Sequence, residues 1–256
     1  MRFRITFNRD GRQRMLPMDY QYYLSAWIYK VIGKADREFS RFLHSEGYTD
    51  GNKRFKLFCY SPLSFEKHVL WKERALFEIR SDSLSMMISF FIPEAAGHFI
   101  EGLFVDQEVY IGDKFNGLDL AVTRVERLHE RNHKGIVKYK ALSPIVISYH
   151  YKEGKYSRYL SPDDEGYFEM VKNNLVQKVK VTHGLNELSE NIGFIPEPGK
   201  TPKSKLVTIK PFTREESRVR GFLYEFSLNA PAEIHHLIQS AGFGEKNSMG
   251  FGWVEV

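Results

Sequence analysis

Apolar and polar positions in the first half of the chain follow two periods. Strict alternation over residues 1–7 places Phe3, Ile5 and Phe7 on one face, which predicts a half-buried strand. Apolar residues recur at helical spacing after Asp19, the expected N-cap, and Gly33 is the expected stop. The predicted elements are strands at 1–7, 55–60, 76–80, 85–92 and 105–111, and helices at 19–32, 36–46 and 93–103. The strands at 76–80 and 85–92 are expected to form a hairpin.

The second half repeats this order after a polar stretch at 129–135. Strands are predicted at 137–149, 206–209, 220–228 and 253–256, and helices at 163–176 and 231–240. Both halves therefore approximate the order β-α-β-β-α-β, with one additional helix in the first half. The expected fold class is α+β, with two tandem ferredoxin-like (RRM-like) domains at 1–128 and 135–256. The repeat is one of pattern only, because the two halves are not obviously similar in sequence.

Composition narrows the classes of protein without naming a function. The 256 residues carry a formal net charge of +5, which permits a polyanionic partner but does not require one. The single cysteine, Cys59, excludes an intrachain disulfide and suits a reducing cytoplasm. No uninterrupted apolar run reaches the roughly 18 residues of a membrane span, and the N-terminus reads as a strand rather than a signal peptide. We therefore expect a cytoplasmic protein that is not in a membrane.

The C-terminal segment is rich in glycine. Gly242 and Gly244 are followed, after five residues, by Gly250 and Gly252, and an apolar strand closes the chain. Because glycine has no Cβ, such a loop allows backbone N–H groups to approach an anion closely. The loop also carries three polar residues that are candidates for contacting such an anion, namely Lys246, Asn247 and Ser248. A tight turn into the last strand is the alternative interpretation.

A basic segment precedes the last strands. Between Pro198 and Arg220 there are seven basic residues against two acidic ones. The seven are Lys200, Lys203, Lys205, Lys210, Arg214, Arg218 and Arg220. Of these, the side chains of Lys205, Lys210, Arg214 and Arg218 are predicted to line a groove for phosphates. The alternative is a solvated hairpin with long lysine side chains.

Three residues in the first half have the chemistry of a catalytic set. Tyr29 lies beside the apolar stripe of the first helix, His44 in the last turn of the second helix, and Lys56 at the start of the next strand. Taken singly, each also fits an ordinary role, as a helix-edge aromatic, a cation at a helix C-terminus and an exposed lysine. Spacing alone leaves both interpretations open.

A zinc-protease pattern is present but lacks its context. His129-Glu130-Arg131-Asn132-His133 matches H-E-x-x-H, in which both histidines must lie on one helix face. Here the match lies between two strand-like runs and continues into a glycine. A solvated turn between the two domains is the better interpretation, and no metal site is predicted.

A family resemblance runs over nearly the whole chain. Its specific parts are Tyr20-Gln21-Tyr22-Tyr23-Leu24 through Ile28-Tyr29, Phe42-Leu43-His44, Lys56-Leu57-Phe58, a Leu142-Ser143-Pro144-Ile145 strand and the glycine-rich loop. In these parts the chain resembles the stand-alone CRISPR-associated endoribonucleases of the RAMP superfamily, which process precursor CRISPR RNA. The resemblance implies tandem ferredoxin-like domains, and it assigns Tyr29, His44 and Lys56 to metal-independent catalysis. Lys53 is the alternative to Lys56, since the segment between His44 and the strand is longer than expected.

The resemblance also implies a reaction and partners. The 2′-OH of RNA would attack the adjacent phosphate, leaving a 2′,3′-cyclic phosphate and a 5′-OH, without any cofactor. His44 would act as the base, Lys56 would stabilise charge, and Tyr29 would orient groups or act as the acid, although His44 and Tyr29 can exchange roles. The implied partners are CRISPR repeat RNA within precursor transcripts, a CRISPR interference complex and a second copy of the chain.

Two non-catalytic alternatives remain. One is an RNA-binding RAMP subunit that keeps the fold and the loop but has lost activity, although the presence of His44 favours the enzyme. The other is a generic RRM-like binder of single strands, with Phe55 and Phe58 as stacking aromatics. The sequence lacks the aromatic RNP pattern that this binder would carry.

Overall fold

A computed structural model describes residues 1–150, 157–182, 192–196 and 201–256, so Lys200 of the basic segment lies outside the described residues. The helices are α1 (Gln21–Ala35), α2 (Arg37–Ser45), α3 (Pro93–Val105), α4 (Tyr167–Val181) and α5 (Ala232–Ala241), with 3₁₀ turns at Lys72–Arg74 and Asn247–Met249. The strands are β1 (Arg2–Arg9), β2 (Met15–Pro17), β3 (Tyr48–Asp50), β4 (Lys53–Phe55), β5 (Phe58–Tyr60), β6 (His68–Trp71), β7 (Leu76–Ile79), β8 (Ser83–Phe90), β9 (Glu108–Gly112), β10 (Gly117–Leu128), β11 (Gly135–Ala141), β12 (Ser148–His150), β13 (Ser157–Tyr159), β14 (Gly193–Pro196), β15 (Lys203–Ile209), β16 (Ser217–Leu223), β17 (Glu225–Ala230) and β18 (Val254–Glu255).

The described chain divides into two compact units, both discontinuous in sequence. The N-terminal unit consists of Met1–Glu46 and Tyr60–Glu130. The C-terminal unit consists of Gly47–Cys59 and Arg131–Val256. The short segment Gly47–Cys59 therefore packs with the second half of the chain, and it carries Lys56 with it.

The larger sheet has the strand order β5-β8-β1-β10-β9, and the pairs from β8 to β9, which lie in the N-terminal unit, are antiparallel. Leaving aside the edge strand β9, the order matches a ferredoxin-like sheet, with the first and third strands of the motif at its centre. Helices α1 and α3 make the two connections. The predicted fold of this half is thus confirmed. The long strand β10 is absent from the sequence prediction, although Leu118, Leu120 and Val122 alternate and are buried.

Aromatic side chains fill the core of the N-terminal unit. The Trp27 ring on α1 contacts the Phe7 ring on β1 at 5.5 Å and the Phe99 ring on α3 at 5.8 Å between centroids, both edge to face. Phe90 at the end of β8 contacts Phe99 at 5.4 Å. These contacts bury the apolar stripe of α1, the helix that carries Tyr29 at its edge.

Three local predictions for this unit are wrong. Helix α1 has Tyr20 as its N-cap, so Asp19 lies before the cap position, and it continues through Gly33 because the backbone N–H of Asp36 still bonds to Ile32 O at 2.9 Å. The predicted hairpin of 76–80 with 85–92 does not form. β7 pairs instead with β2 and β6, whereas β8 pairs with β1.

The C-terminal unit repeats the topology with a smaller sheet of order β14-β17-β11-β18, in which the pairs are antiparallel. Taken in chain order around α4 and α5, these strands again give the ferredoxin-like arrangement. The Phe226 ring on β17 stacks against Phe194, at 5.0 Å, and against Phe243, at 4.5 Å. Because Phe243 belongs to the glycine-rich segment, this stack anchors one end of the loop in the core.

Three long strands predicted in this part of the chain are each interrupted. The segment 55–60 is divided between β4 and β5, because Leu57 takes a left-handed φ of +53°. The segment 137–149 leaves the sheet after Ala141, so Leu142–Ile145 is not a strand, and the backbone N–H groups of Leu142 and Ser143 bond to Trp253 O. The segment 220–228 is divided between β16 and β17, which pair with different partners.

Candidate functional site

Tyr29 and His44 lie against each other in the N-terminal unit. Their ring centroids are 5.0 Å apart, with an interplanar angle of 84°. Tyr29 is half-buried on α1 and His44 is exposed in the last turn of α2. The Ser40 hydroxyl donates to the backbone oxygen of Tyr29 at 2.9 Å, which ties α2 to α1 beside the pair. The structure thus brings together two of the three predicted catalytic side chains.

The cap of α2 sets the direction of the helix that carries His44. Asp36 is the N-cap, and its side-chain oxygen accepts a hydrogen bond from the backbone N–H of Phe39 at 2.8 Å. An aspartate at this position satisfies one of the unpaired N–H groups of the first turn. The predicted start of this helix is confirmed.

Lys56 belongs to the C-terminal unit and lies over Gly47. Gly47 has a φ of +66°, and a Cβ there would lie 2.6 Å from Phe55 O and 3.0 Å from Lys56 Cδ. Glycine at this position therefore leaves the space that the lysine side chain occupies. Lys56 is half-buried, as is its alternative Lys53. The assembly of Lys56 with Tyr29 and His44 stays a prediction.

The glycine-rich loop, residues Gly242–Gly252, depends on glycine for its own geometry. All four of its glycines have a positive φ, between +71° and +86°. A Cβ on Gly252 would lie 1.9 Å from Phe243 O, whereas real Cβ contacts are never this short. The backbone N–H of Phe243 also bonds to Gly252 O at 2.8 Å, which closes the loop on itself.

The three polar residues of the loop have different environments. Lys246 is exposed and takes a left-handed φ of +57°. Asn247 is buried, and its Nδ2 donates to Phe243 O at 3.1 Å and to Phe251 O at 3.0 Å. Ser248 is buried as well. Lys246 is thus the side chain of the three that faces solvent, and Asn247 holds the loop together.

A cavity of about 320 Å³ lies beside this loop within the C-terminal unit. Its lining includes five basic residues and one acidic residue, Glu245. The basic residues are Lys53, Arg54, Lys56, Lys178 and Lys246. Gly244, Asn247 and Ser248 also line it, so the structure gathers Lys56 and most of the predicted loop residues around one positive cavity.

Sequence reasoning missed Lys178. It lies on the buried face of α4 with Val171, Leu175 and Val179, and its side chain is 2% exposed. Its ammonium donates to Gly242 O at 2.8 Å, to Gly244 O at 2.7 Å and to Asn247 Oδ1 at 2.7 Å. The sequence does carry a signal for this residue, because Lys178 falls at a position of the apolar helical stripe, where a charged side chain is buried rather than solvated.

The predicted basic residues of β15 and β16 do not form one stripe. Arg218 is exposed, whereas Lys205 is half-buried on the face that also carries the buried Val207. Lys210 and Arg214 lie in the turn between the strands, where Lys210 pairs with Glu215. Placement of these residues on RNA stays a prediction.

The tip of this hairpin presents an aromatic ring that sequence reasoning also missed. Phe212 is 71% exposed and takes a left-handed φ of +63°, with its backbone N–H bonded to Glu216 Oε2 at 3.0 Å. The ring lies in sequence between Lys210 and Arg214. An exposed aromatic next to basic side chains is a common platform for stacking an unpaired base.

The H-E-x-x-H segment has neither helical nor strand geometry at residues 129–134, as the sequence predicts. Throughout the described ranges, no three side chains of His, Cys, Asp or Glu are grouped so as to hold a metal ion. Nor does any helix in the described parts of the chain have the length and apolar character needed to cross a bilayer.

Two ferredoxin-like units in one chain, the second with a glycine-rich loop before its last strand, are the architecture that the sequence predicts. Comparison with models of protein families then identifies the family. Residues 15–125 match the N-terminal model of the CRISPR-associated protein Cas6, and residues 126–256 match its C-terminal model. The chain belongs to the Cas6 family.

Relatives of known name and solved structures agree with this family. The chain is 25% identical over 248 residues to the CRISPR-associated endoribonuclease Cas6 1 of Methanocaldococcus jannaschii, covering 94% of this chain and 87% of the relative. It is 27% identical over 245 residues to an endoribonuclease-like Cas6 protein of Pyrococcus furiosus, covering 94% and 92%. The solved structure of a Cas6-related protein from Pyrococcus furiosus superposes with a TM-score of 0.82 at 25% identity, covering 100% and 97%.

Proposed function

We propose that this protein is a metal-independent endoribonuclease that cleaves CRISPR repeat RNA within precursor transcripts to give guide RNAs. The observation that carries the proposal is the contact of Tyr29 with His44, whose ring centroids are 5.0 Å apart. A phenol and an imidazole in contact provide two groups able to exchange protons with a substrate. Similarity to relatives named as CRISPR-associated endoribonucleases supports RNA as the substrate.

The proposed reaction is an internal transesterification. A base removes the proton of the 2′-OH, and the resulting oxygen attacks the adjacent phosphorus atom. The bond from phosphorus to the 5′ oxygen of the next nucleotide breaks, and an acid protonates that oxygen. The products are a 2′,3′-cyclic phosphate and a 5′-OH. Because the RNA supplies its own nucleophile, the reaction needs neither an activated water nor a metal ion.

The roles of the protein residues follow from their chemistry. His44, exposed in the last turn of α2, is the proposed base, and Tyr29 is the proposed acid or orienting group. The two roles can be exchanged. Lys56 is proposed to stabilise the additional negative charge on the phosphorane, with Lys53 as its alternative.

RNA binding is assigned to the C-terminal unit. The cavity beside the glycine-rich loop is lined by five basic residues, and a phosphate group is the ligand that such a site favours. The exposed Lys246 and the loop glycines are proposed to contact the RNA backbone. The basic hairpin, with Arg214, Arg218 and the Phe212 ring, is proposed to contact a further part of the strand.

One observation favours a second candidate, an RNA-binding subunit without activity. The relative in Pyrococcus furiosus that is 27% identical to this chain is described as endoribonuclease-like rather than as an endoribonuclease. Such a subunit would hold repeat RNA with the same loop and hairpin. A CRISPR interference complex and a second copy of this chain are further proposed partners.

Cleavage by His44→Ala decides between the two candidates. Labelled repeat RNA is incubated in EDTA with the wild type and with the variant, and binding is measured in parallel. We expect the wild type to make one cut and His44→Ala to lose about 10²- to 10⁴-fold in rate, the usual contribution of a general base or acid. Its affinity for the RNA should change by less than about threefold, since RNA binding is proposed for the other unit.

His68→Ala is the matched control. His68 is an exposed histidine of the same unit, on β6 and packed against Phe65 and Phe77, and its loss should leave the cleavage rate unchanged. Tight binding without cleavage by the wild type would support the non-catalytic subunit and exclude the enzyme. Cleavage that EDTA abolishes would contradict the metal-independent reaction.

A further inference from the structure

Lys178 is a buried cation whose hydrogen bonds all go to one loop. It is 2% exposed, and its ammonium donates to Gly242 O, Gly244 O and Asn247 Oδ1, at 2.7–2.8 Å. An ammonium group has three protons to donate, so the donors and acceptors match one to one. The bonds join α4 to Gly242 and Gly244, which precede the 3₁₀ turn, and to Asn247, which begins it.

Burying this charge is costly, because an ammonium group loses its hydration. Burial accordingly lowers the pKa of Lys178 to about 7, against the opposing effects of Cys59 and Glu245. A methionine of similar length would fill the same space in the stripe of α4 without that cost. Packing in the stripe of α4 therefore does not account for a lysine here, and its three hydrogen bonds indicate what the lysine supplies.

We propose that Lys178 is a positioning residue that fixes the glycine-rich loop in the conformation that binds RNA. The proposal rests on the function proposed above. The two carbonyls that it holds flank Phe243, whose ring is stacked in the core, and the third acceptor is the side chain of Asn247, which follows Lys246 directly. With these points fixed, the exposed Lys246 is held at the cavity that Lys178 itself lines.

Loss of the ammonium releases both sides of the loop at once. Without it, two backbone carbonyls and the Asn247 oxygen lose a charged donor, although Asn247 Nδ2 still holds Phe243 O and Phe251 O. The loop then samples other arrangements, and Lys246 is no longer held in its binding position before RNA arrives. The expected consequence is weaker RNA binding, because ordering the loop is then a cost of association.

The experiment compares wild type, Lys178→Met and Lys180→Met. Lys180 is an exposed lysine near the end of the same helix, so its variant controls for the loss of one positive charge. A binding titration gives the Kd, and single-turnover cleavage with the protein in excess gives the rate at saturation. For Lys178→Met we expect a Kd raised by about tenfold or more, equivalent to about 1.4 kcal/mol, with a saturating rate within about threefold of the wild type. Lys180→Met should change the Kd by less than about threefold.

A role in folding alone would give a different pattern. It would reduce the fraction of active molecules and leave the Kd of the remainder unchanged, and this result would overturn the proposal. If Lys178→Met does not fold, Lys178→Gln replaces it, since an amide keeps two donors and lacks the charge. That variant should give a raised Kd as well, and an unchanged Kd would also overturn the proposal.

Hydrogen exchange on the free protein tests the loop without any RNA. The backbone N–H groups of Phe243 and Glu245 bond to Gly252 O and Val146 O, so they report on loop closure. In Lys178→Met, peptides covering 242–252 should exchange at least about tenfold faster, while peptides of the hairpin at 203–223 stay unchanged. Unchanged exchange in the loop would contradict the proposal. If the wild type binds RNA but does not cut it, the proposed enzyme fails, and the Kd and exchange comparisons still test Lys178.

Discussion

Gly252→Ala adds one methyl group to the glycine-rich loop and is expected to destabilise the protein strongly. A φ of +71° costs an alanine about 1–2 kcal/mol. The new Cβ would also lie 1.9 Å from Phe243 O and 2.6 Å from Asn247 Nδ2, so the loop must open to accept it. Opening breaks the bond from Phe243 N–H to Gly252 O and strains the Asn247 bonds, each worth about 0.5–1.5 kcal/mol.

With all three bonds lost, the total for Gly252→Ala comes to about 2.5–6.5 kcal/mol, and the middle of that range is about 4.5 kcal/mol. The matched control is Gly135→Ala. Gly135 lies in the same unit with a φ of +72°, and no atom lies within 4 Å of the Cβ that it would gain. The control therefore carries the backbone cost alone, about 1–2 kcal/mol.

Urea unfolding and the thermal midpoint measure both variants. For a chain of this size, each kcal/mol lowers Tm by about 2–4 °C, so Gly252→Ala should lose about 10 °C and the control about half of that or less. Equal losses in the two variants would refute the argument from the clash. They would leave only the positive φ as the reason for glycine at position 252.

Three further predictions follow from other parts of the structure. In a binding titration, Phe212→Ala should raise the Kd for repeat RNA by about 5- to 150-fold, which corresponds to the loss of one stacked base, and Phe212→Tyr should bind like the wild type. An unchanged Kd for the alanine variant would exclude stacking on this ring. The Nδ1 atom of His235 shares a hydrogen bond of 2.8 Å with Tyr139 Oη, and its Nε2 donates to Gly135 O at 2.9 Å. Burial lowers the pKa of His235 below the usual 6.5. Because the unfolded chain binds the proton more readily, the free energy of unfolding should fall as pH falls below about 6.5. Urea unfolding at several pH values should show a weaker pH dependence for His235→Gln than for the wild type, and parallel curves would contradict this. Asp36→Ala removes the cap of α2 and should cost about 1 kcal/mol of unfolding free energy, whereas Asp36→Asn should cost less; equal losses would show that the cap bond is not the cause.

The helices and the topological order could be predicted because their signals are local. Pro93 marks the first turn of α3, and the apolar stripes of α1 and α5 are continuous. Both ferredoxin-like units follow from the order of such elements. The glycine spacing 242, 244, 250 and 252 likewise indicated a loop with an unusual backbone, and all four residues have positive φ.

What could not be predicted depends on partners distant in sequence. Leu57 breaks a strand with a left-handed φ, although no glycine in the sequence indicates such a backbone there. The hydrophobic pattern of β7 likewise does not specify the strands with which it pairs. The role of Lys178 depends on acceptors more than 60 residues away in the chain. Sequence supplies the lysine on an apolar face but not the three oxygen atoms that it holds.

The most direct test of the proposed reaction is the fate of repeat RNA carrying one 2′-deoxynucleotide at the cleavage position, in EDTA. The account predicts that the wild type binds this RNA with normal affinity and does not cut it. The unmodified RNA should be cut once, to a 2′,3′-cyclic phosphate and a 5′-OH. Cleavage of the deoxy RNA, or a product with a 5′-phosphate and a 3′-OH, would contradict attack by the 2′-OH and with it the proposed roles of His44, Tyr29 and Lys56.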